Sequence, residues 1–297
     1  MNNFFLSVAD NLACFVSAAT VALLGLYFYD WTTPFQFKSE LSEKDNPAFG
    51  IHITGYIIGL MIIVMAAASP SGGELPHPVD IWVFGGLAVV LFRFGAIVTD
   101  KLILPAFSDW KEISEDRNIG VGFVTAGVFI ATGSILKGAL TGESSGLLMG
   151  ILTTVEYFIF SQIILVAASS LYAKLRKYKH NDGSTLTVIQ ELRDNDNPAV
   201  GLSFAGFIVG AALVVSASID GNDITSMDKL FHVLWTLLAS SVLGVGSMLL
   251  IQPFVDKAVL PYASVNNEVG QQKNMAIAGV NAAFYVGLGL ILYSLTA

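Results

Sequence analysis

Glu40-Leu41-Ser42-Glu43-Lys44-Asp45-Asn46-Pro47-Ala48-Phe49-Gly50 decides how this chain is built, because its pattern occurs four times. The other copies run from Glu112-Ile113 to Asn118-Ile119-Gly120-Val121-Gly122, from Glu191-Leu192 to Asn197-Pro198-Ala199-Val200-Gly201, and from Glu268-Val269 to Asn274-Met275-Ala276-Ile277-Ala278. The shared order is Glu, a branched aliphatic, four residues, Asn, any residue, Ala or Gly, any residue, then Gly or Ala. Each copy leads into a long apolar segment with small residues at matching places: Gly55 and Gly59, Gly127 and Ala131, Gly206 and Gly210, Ala283 and Gly287. Four copies in fixed register mark an internal repeat.

Composition supplies the solvent. Of 297 residues, 54% are hydrophobic and 13% charged, with a mean hydropathy of +0.67. Water-soluble domains carry about 25% charge, so a chain this apolar belongs in a lipid bilayer. The net charge of -8 comes from acids in the connecting segments, and no basic stripe suggests nucleic acid. The single Cys14 lies in an apolar run and reads as membrane packing. Met1-Asn2-Asn3-Phe4-Phe5 has neither the basic start nor the cleavage site of a signal peptide, so the first apolar segment is expected to stay as a span.

Eight segments reach the roughly 20 apolar residues that a spanning helix needs: 8–29, 47–68, 81–104, 119–137, 147–172, 198–217, 230–252 and 275–295. Connections after odd-numbered spans hold twelve basic residues, from Lys38 to Lys273, against Lys137 and Lys229 on the other side. The positive-inside rule then places the motif copies in the cytoplasm and both termini outside. The outer loops, such as 69–78 and 220–223, show only turn residues. The repeats have two levels. Asp precedes Asn46-Pro47 and Asn197-Pro198, whereas Arg117 and Lys273 precede Asn118 and Asn274; Asp100-Lys101 with Leu104-Pro105 recurs as Asp256-Lys257 with Leu260-Pro261. The chain reads as an all-α membrane protein of four parallel two-helix repeats, in two duplicated halves, 1–140 and 141–297, of one membrane domain. The motif-led spans are expected to surround a common axis. The alternation in Phe35-Gln36-Phe37 and Leu186-Thr187-Val188 predicts short β segments near 34–41 and 185–192.

Asn is a preferred helix N-cap and Pro a preferred first helical residue, so Asn46, Asn118, Asn197 and Asn274 are read as caps. Gly55 with Gly59, and Gly206 with Gly210, each form one small helix face, the device by which helices pack in lipid. Charges inside spans are expensive and are functional candidates. They are Arg93, Glu156 and Asp10, and Arg93 is expected to pair with one of the two carboxylates. Glu40, Glu112, Glu191 and Glu268 each lie six residues before an Asn. They form either a ring that favours cations or a set of carboxylates that satisfy nearby amides; both readings stay open. No nucleophile–base triad, phosphate-binding loop or metal-spaced cluster is present, so the sequence points to no enzyme and no cofactor.

Two Asn-Pro-Ala triplets bring aquaporins to mind, but here both precede full spans on the same side, where aquaporin triplets open half-helices from opposite sides. The better match is to the bacterial membrane family represented by YjfL, domain of unknown function 350. The chain resembles it in Asp45-Asn46-Pro47-Ala48 with Gly50 and Gly55, in Arg117-Asn118-Ile119-Gly120-Val121-Gly122-Phe123 with Ala126-Gly127, and in their counterparts in the second half. The resemblance covers essentially the whole chain, as a tandem form, and departs most in the fourth unit, where Ala278 and Ala283 replace glycines. It implies a bacterial inner membrane location and an association with envelope stress, through a cytoplasmic partner like phage-shock protein A. Two functions follow as expectations: a small-ion (cation) channel or transporter, or a non-conducting membrane scaffold that docks such a partner. A homo-oligomer is compatible with either.

Overall fold

The computed structural model describes residues 2–69, 77–105, 108, 110–141, 147–219, 227–262 and 264–296. Residues 70–76, 142–146 and 220–226 of the three outer connections, and the side chain of Lys229, lie outside them. The helices are α1 (Asn2–Thr32), α2 (Pro47–Ala67), α3 (Pro78–Leu102), α4 (Ile119–Leu140), α5 (Leu147–Leu175), α6 (Val188–Asn195), α7 (Pro198–Ala217), α8 (Met227–Val259) and α9 (Met275–Thr296). All but α6 are long and apolar enough to cross a membrane. The chain is a multi-pass transmembrane protein.

The motif-led helices α2, α4, α7 and α9 form a row. α2 packs on α4, α4 on α7 and α7 on α9, by far the most extensive contacts in the chain, and no comparable contact joins α9 back to α2. The common axis expected from the repeat is therefore absent. A second row lies against the first: α1 touches α3, α3 touches α5 and α5 touches α8, and each also packs on motif-led helices.

Small residues explain the first row. A Cβ added at Gly55 would lie 2.3 Å from the Ala126 Cα, one at Gly127 2.8 Å from the Ala205 Cβ, and one at Gly206 2.4 Å from the Ala282 Cα. Lower in the same interfaces, Gly133 meets the backbone of Gly59 and Gly289 that of Gly210. Each helix thus has a forward face (Gly55 and Gly59 on α2) and a backward face (Ala126 and Gly133 on α4). In lipid, where burying an apolar side chain gains nothing over leaving it in acyl chains, such backbone approach is what holds helices together. The row stops where its faces stop. On α2 the positions matching Ala126 and Gly133 are Thr54 and Met61, both exposed. On α9 the forward face, Ala283 and Gly287, meets no neighbour: nothing lies within 4 Å of a Cβ built at Gly287. The spans of α4 and α7 are accordingly 83% buried and that of α9 28%.

The predicted β segments are half right. β1 (Lys177–Lys179) and β2 (Thr185–Thr187) form an antiparallel hairpin, closed by a turn in which Gly183 has φ +88°, a conformation open to glycine at no steric cost. Residues 188–192 belong to α6, and 39–43 form a π-helical turn instead of a strand. The reason is local: the Glu40 carbonyl reaches the Asn46 amide six residues on, at 3.0 Å, which a helical turn allows and an extended strand does not. The hairpin braces the motif face. Buried Tyr178 packs on Gly270, and Gln271 Nε2 donates to the Lys179 carbonyl at 2.7 Å.

Candidate functional site

Each motif copy is a clasp. The turns Ser39–Glu43, Lys111–Glu115 and Asn266–Gln271 are π-helical, and α6 takes their place in the third unit. In every copy the Glu carbonyl accepts the backbone N–H of the Asn: Asn46 to Glu40 at 3.0 Å, Asn118 to Glu112 at 2.8 Å, Asn197 to Glu191 at 3.1 Å and Asn274 to Glu268 at 2.8 Å. The Glu carboxylate accepts the Asn Nδ2, at 2.8 Å for Glu40, 3.0 Å for Glu112, 3.0 Å for Glu191 and 2.9 Å for Glu268. The Asn Oδ1 meanwhile caps the following helix, as from Ala48 and Phe49 N–H at 3.1 and 3.2 Å in the first copy. The closure forces the residue before each Asn into the left-handed region: Asp45, Arg117, Asp196 and Lys273 have φ of 47°, 54°, 46° and 52°. That conformation costs a non-glycine residue about 1 kcal/mol, offset by the cap and the two bonds it closes.

The clasps are linked from unit to unit. Asn46 Nδ2 also donates to the Ile113 carbonyl at 2.8 Å, Asn118 Nδ2 to Leu192 at 2.7 Å, and Asn197 Nδ2 to Val269 at 3.1 Å and Gly270 at 2.8 Å. In each case the acceptor lies just after the Glu of the next copy. Asn274 ends the series: among the described residues its Nδ2 donates to Glu268 alone. Extra donors reach the carboxylates individually: Ser114 and Lys44 to Glu40, His180 and Asn195 to Glu191, Gln272 to Glu268. The four glutamates are thus strung along the row, each held by its own Asn. Among the described residues, no three His, Cys, Asp or Glu side chains converge as a metal site.

Two of these carboxyls are driven in opposite directions. Burial alone would raise the Glu40 pKa, but the donors Lys44, Ser114 and Asn46 outweigh it and hold the carboxyl below its ordinary value. Burial raises that of Glu112; the Asn118 donation opposes this, and Asp116 and Asp196 add to the rise. A depressed folded-state pKa contributes stability present above the unfolded value and lost as pH falls through the folded one; a raised pKa contributes stability that is lost as pH rises through it. Glu40→Gln should therefore lower the melting temperature in detergent at pH 7 more than Glu112→Gln does. The gap should close below about pH 4, where an unfolded glutamate is protonated. Equal losses at both pH values would contradict this.

A second polar site lies on the motif side of the first half. A cavity of about 240 Å³ is lined by Tyr29, Thr33, His52, Arg93, Trp110 and Thr125, among others. Arg93 pairs with neither Glu156, half-buried on α5, nor Asp10, exposed on α1. It donates instead from Nε to Thr32 Oγ1 at 3.2 Å and from Nη2 to the Thr32 carbonyl at 3.0 Å. A backbone carbonyl freed at a helix end is invisible to a reading based on charge, which is why the sequence pointed elsewhere. His52 is buried against the rings of Phe35, Phe49 and Phe129. His52 Nδ1 lies 2.8 Å from Thr125 Oγ1, whose hydroxyl is also within reach of the Val121 and Gly122 carbonyls, and His52 Nε2 is hydrogen-bonded to the Tyr29 hydroxyl.

The second half repeats the aromatic cluster with other polar groups. Tyr172 stacks on Phe207 and meets Tyr285 edge-on, as Tyr29 packs on Tyr56 and meets Phe129. Here the cation is Arg176, bonded through both terminal nitrogens to Asp256 at 3.0 Å, and Gln252 ties Asp256 to Asn281. Sequence reading missed this pair because its members lie 80 residues apart in segments with no common motif.

Parallel spans clasped at one end and lying in an open row define a polytopic α-helical membrane protein. The chain belongs to the family described as Domain of Unknown Function (DUF350), whose model matches residues 3–140 and again 146–296. It is 23% identical over 167 residues to a "UPF0719 transmembrane protein" of Aquifex aeolicus (strain VF5), a match covering 55% of this chain and 60% of that relative's length. No solved structure matches it.

Proposed function

We propose that this chain is a non-conducting membrane scaffold, set in the inner membrane of a bacterial cell with its clasps in the cytoplasm and its termini in the periplasm. The observation that carries this reading is the row itself. Motif-led helices in backbone contact leave no axis between them for an ion path. Their carboxylates are spent on Asn side chains rather than directed at a lumen. What the clasps leave outward is a line of charged residues, among them Glu43, Asp45, Glu115, Arg117, Asp194, Asp196 and Lys273, all exposed. Such a repeated edge suits a peripheral cytoplasmic protein, and the expectation of a partner like phage-shock protein A rests on the family resemblance alone. The vacant forward face of α9 supports a homo-oligomer. The competing reading, a cation channel or transporter, requires conduction that depends on Glu40, Glu112, Glu191 and Glu268.

Liposomes containing the purified protein alone separate the two. Potassium, sodium and proton flux should not exceed that of empty vesicles. Flux above that level which falls when the four glutamates are changed to Gln would overturn the scaffold and establish the channel. The orientation is checked in cells by labelling Ser184→Cys in the hairpin turn, which should react only from the cytoplasmic side.

A further inference from the structure

The cavity beside Arg93 has a charge imbalance that the rest of the fold does not repeat. In the second half the cation of the aromatic cluster, Arg176, is neutralised by Asp256. In the first half the cation is Arg93, whose matching position in the duplicated half is Leu249, and none of the described residues lining the cavity is a carboxylate. Among the described residues, the only bonds Arg93 makes are those from Nε and Nη2 to Thr32, and the residue lines the cavity. The buried Thr33 hydroxyl, also on the cavity wall, has no hydrogen-bond partner among the described residues. Ser108 and Trp110 stand at the same cavity and are exposed.

We infer that this cavity binds an oxyanion, a phosphate or a carboxylate, with Arg93 as its counter-charge. A guanidinium in a span is costly unless paired, and Arg is the side chain best shaped to grip phosphate or carboxylate. Its grip on Thr32 fixes the guanidinium in place before a ligand arrives. Thr33 supplies a hydroxyl donor, and the Trp110 indole a second donor at the mouth. The cavity is lined by Thr33, Pro34, Phe35, Ser108 and Trp110 from the motif-side connections, which is where phospholipid headgroups sit. A headgroup phosphate and a soluble anion offer the same chemistry, and the site is compatible with either source.

The test is the thermal stability of the purified protein in neutral detergent, with added dioleoylphosphatidylglycerol, dioleoylphosphatidylcholine or inorganic phosphate. The phosphatidylglycerol arm, or the inorganic phosphate arm, should raise the melting temperature by about 5 °C near saturation, and phosphatidylcholine by much less. Arg93→Gln should abolish the shift. A shift with inorganic phosphate names a soluble anion; one with phosphatidylglycerol alone names the lipid. No shift in any arm, or a shift that survives Arg93→Gln, overturns the inference. Should Arg93→Gln fail to fold, Trp110 emission decides, in a protein carrying Trp31→Phe, Trp82→Phe and Trp235→Phe. A saturable change on adding phosphatidylglycerol or phosphate supports the site, and none overturns it. Either outcome leaves the flux result above untouched, because the cavity lies apart from the clasps.

Discussion

Gly210→Leu should abolish folded protein, and Gly287→Leu should leave it intact. The two glycines hold the same register position, thirteen residues after Asn197 and Asn274, so a reading of the repeat alone gives them the same weight. Their surroundings differ completely. A Cβ at Gly210 would lie 2.3 Å from the Tyr285 carbonyl oxygen and 2.7 Å from the Met248 Cε. The first contact is backbone, so the α7–α9 pair must separate as a whole. Overpacking where side chains can adjust costs about 1–3 kcal/mol, and a clash that parts two helices belongs above that range. Gly287 has nothing within 4 Å, and a Leu there faces outward. Gly50 on α2 is equally open, which extends the contrast to the other end of the row. Detergent-solubilised yield and melting temperature read the result; equal damage at 210 and 287 would mean that α9 has a partner within the chain.

Asn197→Ala should cost about 3–5 kcal/mol and Asn274→Ala about 1–2 kcal/mol, although both remove the Asn of a clasp. Asn197 is fully buried and serves two helix amides, the Glu191 carboxylate and two carbonyls of the fourth unit. Losing it forfeits a cap, worth about 0.5–2 kcal/mol. It also strips a donor from a carboxylate with no solvent exposure, and a buried charge left short of partners is among the most destabilising changes a protein can suffer. Asn274 caps α9 and holds Glu268, but it is half-exposed and reaches no further unit, so water replaces much of what is lost. Denaturant unfolding of the two variants gives the ratio directly. Equal losses would mean that the links between units contribute nothing.

The Asn caps and the Glu–Asn spacing were legible in the sequence because they are local, but the bond between them was not: the glutamates were read as a ring or as partners of backbone amides, and they accept from the Asn side chains instead. Glu40 and Asn46 are six residues apart, the Pro after Asn marks a helix start, and recurrence fixes the register. The eight spans were legible from length and apolarity. What repetition could not give is closure, since equivalent units form a ring or a row with the same local chemistry. The deciding signal lay in residues that depart from the repeat: Thr54 and Met61, where α4, α7 and α9 carry Ala126 and Gly133, Ala205 and Ala212, Ala282 and Gly289. Large residues on one face of the first unit mark it as an end. The left-handed Asp45, Arg117, Asp196 and Lys273 were hidden for the opposite reason, as no glycine or asparagine stands there to signal the conformation. Arg93 was placed in its span correctly and paired wrongly, because its acceptors are one hydroxyl and one carbonyl of Thr32.

The open row is the claim on which the account stands, and a distance between its ends tests it most directly. Glu43, Glu115 and Gln272 are exposed and stand at the clasps of α2, α4 and α9. Spin labels on Glu43→Cys with Glu115→Cys, and separately on Glu43→Cys with Gln272→Cys, report an adjacent pair and the two ends. Neighbouring helices sit about 8–10 Å apart, so the row predicts an end-to-end distance longer than the adjacent one by at least about one such spacing. Equal distances for the two pairs would close the helices into a ring and contradict the account.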